Sequence, residues 1–284
     1  MKIGVKIMYS LFFVLPLFSC MLQKPKYSLS EINVASFNQN NILSGDFPDT
    51  WNLHVNSVKE MISFQDFDIL GVQKADIDKI SGLTAMKEFA YIFNDFRRSD
   101  DSIEHSAIFY RKERFEVLDK GDFQYNLQKC AESGEKNNFD QLCSWVRLKD
   151  IHEKQVFVFF SVHFEHLGTT AQQKLAEMTI TRIHEVAKGD PIVLVGGLNA
   201  LPSSEIYRIL NIPLNDAAVV SETAPYGLVR KSKGFGGSKI TTDRIDYIFV
   251  DDVVNVKKYG VLSDSEELRD QSDHYPVFAR ISIN

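Results

Sequence analysis

Apolar and polar positions alternate along the chain in two rhythms. The helical one appears in WNLHVNSVKEMISF, residues 51–64, where Trp51, Val55, Val58, Met61 and Ile62 fall on one face. It returns in TTAQQKLAEMTITRIHEVAKG, residues 169–189, with Leu175, Met178, Ile183 and Val186 as the apolar face, Thr169 or Thr170 as cap and Gly189 as stop. Residues 77–89 give a weaker helix with Gly82 inside it, and SSEIYRIL gives a short capped one. The strand rhythm marks INVASF (32–37), YIF (91–93), HSAIFY (105–110) and FEVLDKG (115–121). CSWVRLKD and QVFVFFSVHF flank IHEK as a hairpin, and RIDYIFV, VKKYGVL and YPVFARISI close the chain as strands. Continuous apolar runs, DILGVQ and PIVLVGG, predict strands covered on both faces. Strands alternating with strong helices, together with hairpins, predict one α/β domain of mixed sheets packed face to face with helices outside. The polar, glycine-rich stretch 221–242 reads as a long surface loop of the kind that belongs to a site.

The first residues break this pattern. MKIGVKIMYSLFFVLPLFSC carries Lys2 and Lys6, then an apolar run from Ile7 to Phe18 that is short for a bilayer span, then Ser19-Cys20. This reads as a signal peptide over residues 1–19. The LFSC ending resembles a bacterial lipobox, with Phe18 large for its slot. The resemblance implies lipidation, palmitate included, at Cys20, a lipid-attached tether over 20–30, and a domain over 31–284. The expected location is the bacterial cell envelope, anchored to the inner or outer membrane. Cys130 and Cys143 bracket a polar loop, and export permits either a disulfide or two thiols.

Composition adds little to the fold and something to function. A chain of 284 residues with 44% hydrophobic positions and 21 Phe can bury a substantial core. Its formal charge of −6 becomes −8 once two lysines and no acids leave with residues 1–19. An acidic body argues against duplex nucleic acid as partner.

Polar groups stand at several predicted strand ends: Asn38 in ASFNQN, His163 and His166 in SVHFEH, Asn199 in GGLNA, Asp246 in RIDYIFV, and Asp273-His274 in QSDHYPV. Polar side chains converging from several strands are a common way to build an active site. The words SFN, LGVQ, HSAIFY, VHFEH, GGLNA, RIDYIFV and SDHYPV, in this order from about Ile32 to the C-terminus, resemble the endonuclease/exonuclease/phosphatase superfamily. GFGG (234–237) before the RIDY strand is similar to its exported bacterial members. The resemblance implies a four-layer α/β sandwich with two mixed sheets between helices. It also implies Mg²⁺-dependent phosphoester hydrolysis, in which fixed donors and a hard cation stabilise negative charge on phosphoryl oxygens. By the same resemblance, Asn38 contacts metal or phosphate and Asp273 lies near the metal. His163 and Asn199 hold the phosphate, and Asp246 orients His274.

Two positions depart from the family pattern. Its GDFN word, whose Asp aligns the attacking water, is GGLN here, with Gly197 in that slot. Its Gln-Glu pair, whose Glu holds Mg²⁺, is Gln73-Lys74. Asn40 stands where relatives have Asp or Arg. A positioned general base is worth about 10²–10⁴ in rate. An ammonium about 4 Å from a dication costs roughly 8 kcal/mol at an effective dielectric of about 20, less if the lysine swings away. The expectation is a degraded metal and base site: no Mg²⁺ or weak Mg²⁺, and a pseudoenzyme that holds an anionic or phosphorylated small molecule or lipid headgroup through Asn38, Lys74, His163, Asn199 and His274. The alternatives are a relic pocket, or an active divalent-metal phosphodiesterase or phosphatase with a substitute acid such as Glu165 or Asp243.

Overall fold

A computed structural model describes residues 30–39, 48–74, 77–97, 103–126, 140–164, 169–227, 232–233, 240–241, 244–262 and 274–284. The signal segment, Cys20, Cys130, Glu165, His166, Asp243 and Asp273 lie outside them.

Two βαβ units form the frame. In the first, β1 (Glu31–Asn38) and β2 (Ile69–Gln73) run parallel, joined by α1 (Pro48–Phe64). In the second, β7 (Val156–His163) and β8 (Ile192–Gly197) run parallel, joined by α3 (Thr169–Ala187). A short helix follows each: α2 (Ile77–Thr84) and α4 (Glu205–Asn211). Antiparallel strands extend each pair into a six-stranded sheet. The first unit gains β3 (Phe89–Arg97), β4 (Ile103–Arg111), β13 (Val254–Val261) and β14 (Val277–Ile283), in the order β13-β14-β1-β2-β4-β3. The second gains β5 (Phe115–Asn126), β6 (Asp140–Asp150), β9 (Asn215–Asp216) and β12 (Asp246–Val250), in the order β5-β6-β7-β8-β12-β9. Between β9 and β12 lie α5 (Ala217–Val220) and a small sheet of β10 (Ser232–Lys233) and β11 (Ile240–Thr241).

The apolar runs sort by face as a period of two requires. Ile32, Val34, Ile69, Phe157, Phe159, Val193, Val195, Ile248 and Val250 pack between the sheets. The alternate residues face outward onto helices: Ala35, Phe37, Leu70 and Val72 meet Val58 and Ile62 of α1, while Val158, Phe160, Leu194 and Phe249 meet Leu175 and Ile183 of α3. This is the expected four-layer sandwich. Strands covered on both sides explain why DILGVQ, QVFVFF and PIVLVGG lack alternation in sequence.

Several elements differ from the sequence pattern in detail. On α3, Met178 is 37% exposed, and the buried stripe runs instead through Leu175, Ala176, Thr179, Ile183 and Ala187. A 3.6-residue period admits two overlapping faces there, and the small residues won the sheet side. Lys188 and Gly189 then leave the helix with φ of 53° and 93°. Helix α2 stops at Thr84, and Gly82 earns its place by packing: a Cβ there would meet Val55 Cγ2 of α1 at 2.6 Å. Strand β14 starts at Val277, because Pro276 has no N–H for the ladder.

Two buried ionic groups tie the sheets. Asp68, just before β2, accepts from the Asn33 N–H at 2.8 Å and pairs with Arg114 at 3.0 Å. Arg114 also holds Asp150 at 2.9 Å. Burial pushes the Asp68 carboxyl above its ordinary range, and Arg114 opposes the shift. In the second sheet Arg244 forks onto Asp216, stacks over the Tyr247 ring at 4.5 Å, and shares Asp216 with the Tyr207 hydroxyl at 2.9 Å. Cys143 is buried on β6, and its thiol is pushed up by that burial and by Asp122.

Candidate functional site

The inter-sheet layer is apolar at one end and polar at the other. Along β1 the inward series is Ile32, Val34, Ser36, Asn38; along β2 it is Ile69, Gly71, Gln73; along β7 it is Phe157, Phe159, Ser161, His163. β8 ends this face on Gly197, and β12, running the other way, begins it with Asp246. The polar residues therefore gather at the C-terminal ends of all four parallel strands, where α/β sheets usually place ligands. Strand register brings them level. Asn38 is paired with Gln73, and Gly197 with both His163 and Asp246.

Hydrogen bonds fix this cluster. His274 Nδ1 lies 2.6 Å from Asp246 Oδ2, and its Nε2 lies 3.4 Å from Asn38 Nδ2. With Nδ1–H donated to the carboxylate, Nε2 is the acceptor for the Asn38 amide. His163 Nε2 sits 3.3 Å from Asn199 Nδ2, which also donates to the Phe164 carbonyl at 2.6 Å. Asn199 reaches that position from a left-handed backbone, φ 48°, which Asn tolerates better than most residues. The glycine before position 197 is required sterically. Gly196 has φ 146°, and any Cβ there would collide with the Val162 carbonyl oxygen.

Gly197 lies at the centre. A Cβ built on it stands 3.0 Å from Asn38 Nδ2, 3.0 Å from Asp246 Oδ1 and 3.4 Å from His163 Cδ2. Three residues widely separated in sequence thus converge on its bare face. Asp246 Oδ1 is buried and has no hydrogen-bond partner, although the residue is only 6% exposed. Buried carboxylate oxygens are rarely left so, because desolvation without a donor is costly.

Lys74 follows β2 directly and adopts φ 51°. Beside it, Gln73 is 1% exposed, and its Nε2 donates to Ser161 Oγ at 2.9 Å and lies 3.2 Å from Ser36 Oγ. That carboxamide couples the two sheets under the cluster. Sequence reasoning took Gln73 as the end of an apolar strand and missed this role; its one signal was a carboxamide closing an otherwise apolar run. The Asp216–Arg244 clamp was also missed. Arg244 stands two residues before Asp246, and burial of its charge is outweighed by Asp216, so its pKa rises.

Of the candidate residues, the structure brings together Asn38, His163, Asn199, Asp246 and His274, with Lys74 at the adjacent strand end. Asp273, expected beside a metal, lies outside the described residues, as does Cys20.

The fold is thus a two-sheet α/β sandwich whose strand ends carry Asn38, His163, Asn199, Asp246 and His274. The sequence model of the Endonuclease/Exonuclease/phosphatase family matches residues 35–274, and the chain belongs to that family. A solved family member from Bacteroides thetaiotaomicron is 28% identical, with a TM-score of 0.76 over 89% of this chain and 98% of that one. The mannosyl-6-phosphatase of the same organism is also 28% identical, with a TM-score of 0.74 over 89% of this chain and all of that one, 100%. In Arabidopsis thaliana, carbon catabolite repressor protein 4 homolog 3 is 28% identical over 149 residues, 50% of this chain; the match spans 32% of that relative's length.

Proposed function

We propose that this protein is an exported, lipid-anchored phosphate-ligand binder built on the fold of a phosphoester hydrolase, with metal-dependent hydrolysis lost or weak. The observation that carries the reading is the convergence of Asn38, Asp246 and His163 on the bare face of Gly197. The family's water-aligning Asp would stand there, and even its Cβ finds the space tighter than ordinary packing.

Mg²⁺ demands near-ideal octahedral oxygen ligation. The described residues fit it poorly. Lys74 places an ammonium at the family's Glu position, the Gln73 carboxamide is committed between Ser36 and Ser161, and the Asp246 carboxylate is engaged by His274 through Oδ2. Phosphate binding needs only donors and positive charge, and Asn38, Lys74, His163 and Asn199 supply both. Likeness to a mannosyl-6-phosphatase supports a phosphorylated sugar as one ligand class, and a phosphorylated lipid headgroup suits a surface tether. Attachment through Cys20, in the inner or outer membrane of a bacterial envelope, follows from the LFSC sequence.

The intact Asn38, His163, Asn199, Asp246 and His274 set is the specific support for the opposite reading, an active divalent-metal phosphodiesterase or phosphatase. Titration calorimetry with Mg²⁺, Mn²⁺ and Ca²⁺, run beside hydrolysis of bis-p-nitrophenyl phosphate and of mannose 6-phosphate, separates the two. The expected result is phosphate-ligand binding with no metal-stimulated turnover. Micromolar metal affinity with turnover establishes the enzyme instead.

A further inference from the structure

We propose that the end of the sandwich opposite the candidate site rests on the anchoring bilayer through Phe64, Ile212, Val219 and Val253. The site then opens toward the aqueous phase and takes a dissolved phosphorylated ligand. This rests on the lipid anchor and the phosphate-binding reading above, and it selects the solute over the headgroup as ligand class.

Strand β1 joins the two ends. It begins at Glu31, on the tether side, and finishes at Asn38, in the site, a run of 8 residues. At its usual rise the strand is about 25 Å long. Cys20 precedes Glu31 by eleven positions. A chain of that length reaches at most about 40 Å. Turning the site to the membrane would take about 25 Å of that reach to run back along the protein, and ordering the chain so costs conformational entropy.

The tether end also carries exposed apolar side chains. Phe64, 76% exposed, closes α1 two residues before Asp66, whose carbonyl accepts from Asn33 near the start of β1. Val253 lies in the turn from β12 to β13, and its carbonyl accepts from the Asn284 N–H, beside the pairing of Glu31 with Ser282. Ile212, 70% exposed, follows α4 and stands three residues before Asn215, which pairs with Val250 at the same end. Val219, also 70% exposed, sits between Asp216, opposite Phe249, and Glu222, whose N–H donates to the Val256 carbonyl. Phe64, Ile212 and Val219 are the three most exposed large apolar side chains among the described residues.

Single exposed apolar residues are ordinary on a protein surface. Their placement selects a bilayer here. Phe64 belongs to the helical layer outside the first sheet, Ile212 to the layer outside the second, and Val253 to the turn between the sheets. A broad lipid plane can meet such separated points, whereas a protein partner is marked by one continuous patch. Asp252 stands beside Val253 and holds Asn215 at 2.7 Å, so a carboxylate accompanies the apolar contacts. Apolar burial, and not attraction to anionic lipid, therefore drives the contact.

The test uses the mature acylated protein in phosphatidylcholine vesicles containing brominated lipid. A bimane label is placed on Ile212→Cys, Val253→Cys or Leu201→Cys in a Cys130→Ser background. Leu201 lies at the site end, two residues past Asn199, and is partly exposed. Quenching should be at least about twofold stronger at positions 212 and 253 than at 201, as burial at the lipid boundary requires. Equal or stronger quenching at 201 overturns the proposal. Phe64→Glu with Ile212→Glu, both surface changes, should remove the difference between 253 and 201; a difference that persists overturns the contact. Phosphatidic acid in the anchoring vesicles should not displace mannose 6-phosphate, whose affinity should match that for the protein in detergent. Displacement overturns the choice of solute. Mass spectrometry that finds no acyl chain on Cys20 overturns the anchor and the proposal with it. If the quenching pattern appears and no anion binds, the contact stands and the phosphate-binding reading is the one that fails.

Discussion

The two βαβ units are built alike, and on the reading proposed above they depart from the family acids in different ways. Each ends its second parallel strand in a left-handed residue, Lys74 after β2 and Asn199 after β8. In the first unit a carboxylate position carries an opposite charge on a long flexible stem. In the second it carries nothing, and the surroundings stand close to Gly197. A charge reversal on a long side chain needs no new space, so one substitution can undo it. A missing side chain whose neighbours stand 3.0 Å from the Cβ position is harder to restore, because those neighbours must give way first.

The largest effect should come from challenging the second unit. Gly197→Asp forces Asn38 and Asp246 apart and sets two carboxylates together; overpacking alone costs about 1–3 kcal/mol, and the melting temperature should fall by at least about 2 °C. An unchanged melting temperature with restored metal-dependent turnover would show the walls to be compliant and the units equivalent. A smaller effect, of opposite sign, should come from the first unit. A non-glycine residue in the left-handed region costs about 1–2 kcal/mol, so Lys74→Gly should raise stability by about 1 kcal/mol while weakening anion affinity, read by calorimetry and thermal melts together. Gained stability with unchanged affinity would mean that Lys74 serves no ligand.

The smallest effect concerns the clamp behind the second unit. Burial, with Asp216 beside it, pushes the Tyr207 hydroxyl from 10.0 up to about 12. Above pH 10 an unfolded chain releases a proton that the folded chain keeps. Stability is thus complete below pH 10 and declines as pH climbs toward 12. Tyr247 and Tyr259 shift in the same direction, chiefly by burial. Tyr207→Phe should shallow the fall in melting temperature between pH 9 and 11 without removing it; an identical slope would place the alkaline sensitivity elsewhere.

How legible all this was in the sequence depended on what each residue contacts. Strands such as INVASF and PIVLVGG announce themselves because burial on both faces dictates their composition. The words SFN, VHF, GGLNA and RIDY marked Asn38, His163, Asn199 and Asp246, which the fold brings together, since each word closes or opens a strand and topology collects strand ends. What escaped were partnerships formed only in three dimensions. Asp216 and the Arg244 fork that holds it lie 28 positions apart along the chain. The span of Gln73 to Ser161 covers 88, with nothing local to mark it. The face of α3 was misjudged at Met178 because hydrophobicity ranks methionine above Ala176 and Thr179, whereas a close helix–sheet contact prefers the smaller side chains.

Gly71 has a bearing on how a guest enters. Its bare face abuts Val195 and Ser161, where a Cβ would come within 2.7 and 2.9 Å, so the sheets touch immediately beneath the Gln73 bridge. At this point the sheets leave no room between them even for a methyl group, so nothing can pass from the strand ends into the apolar layer along this line.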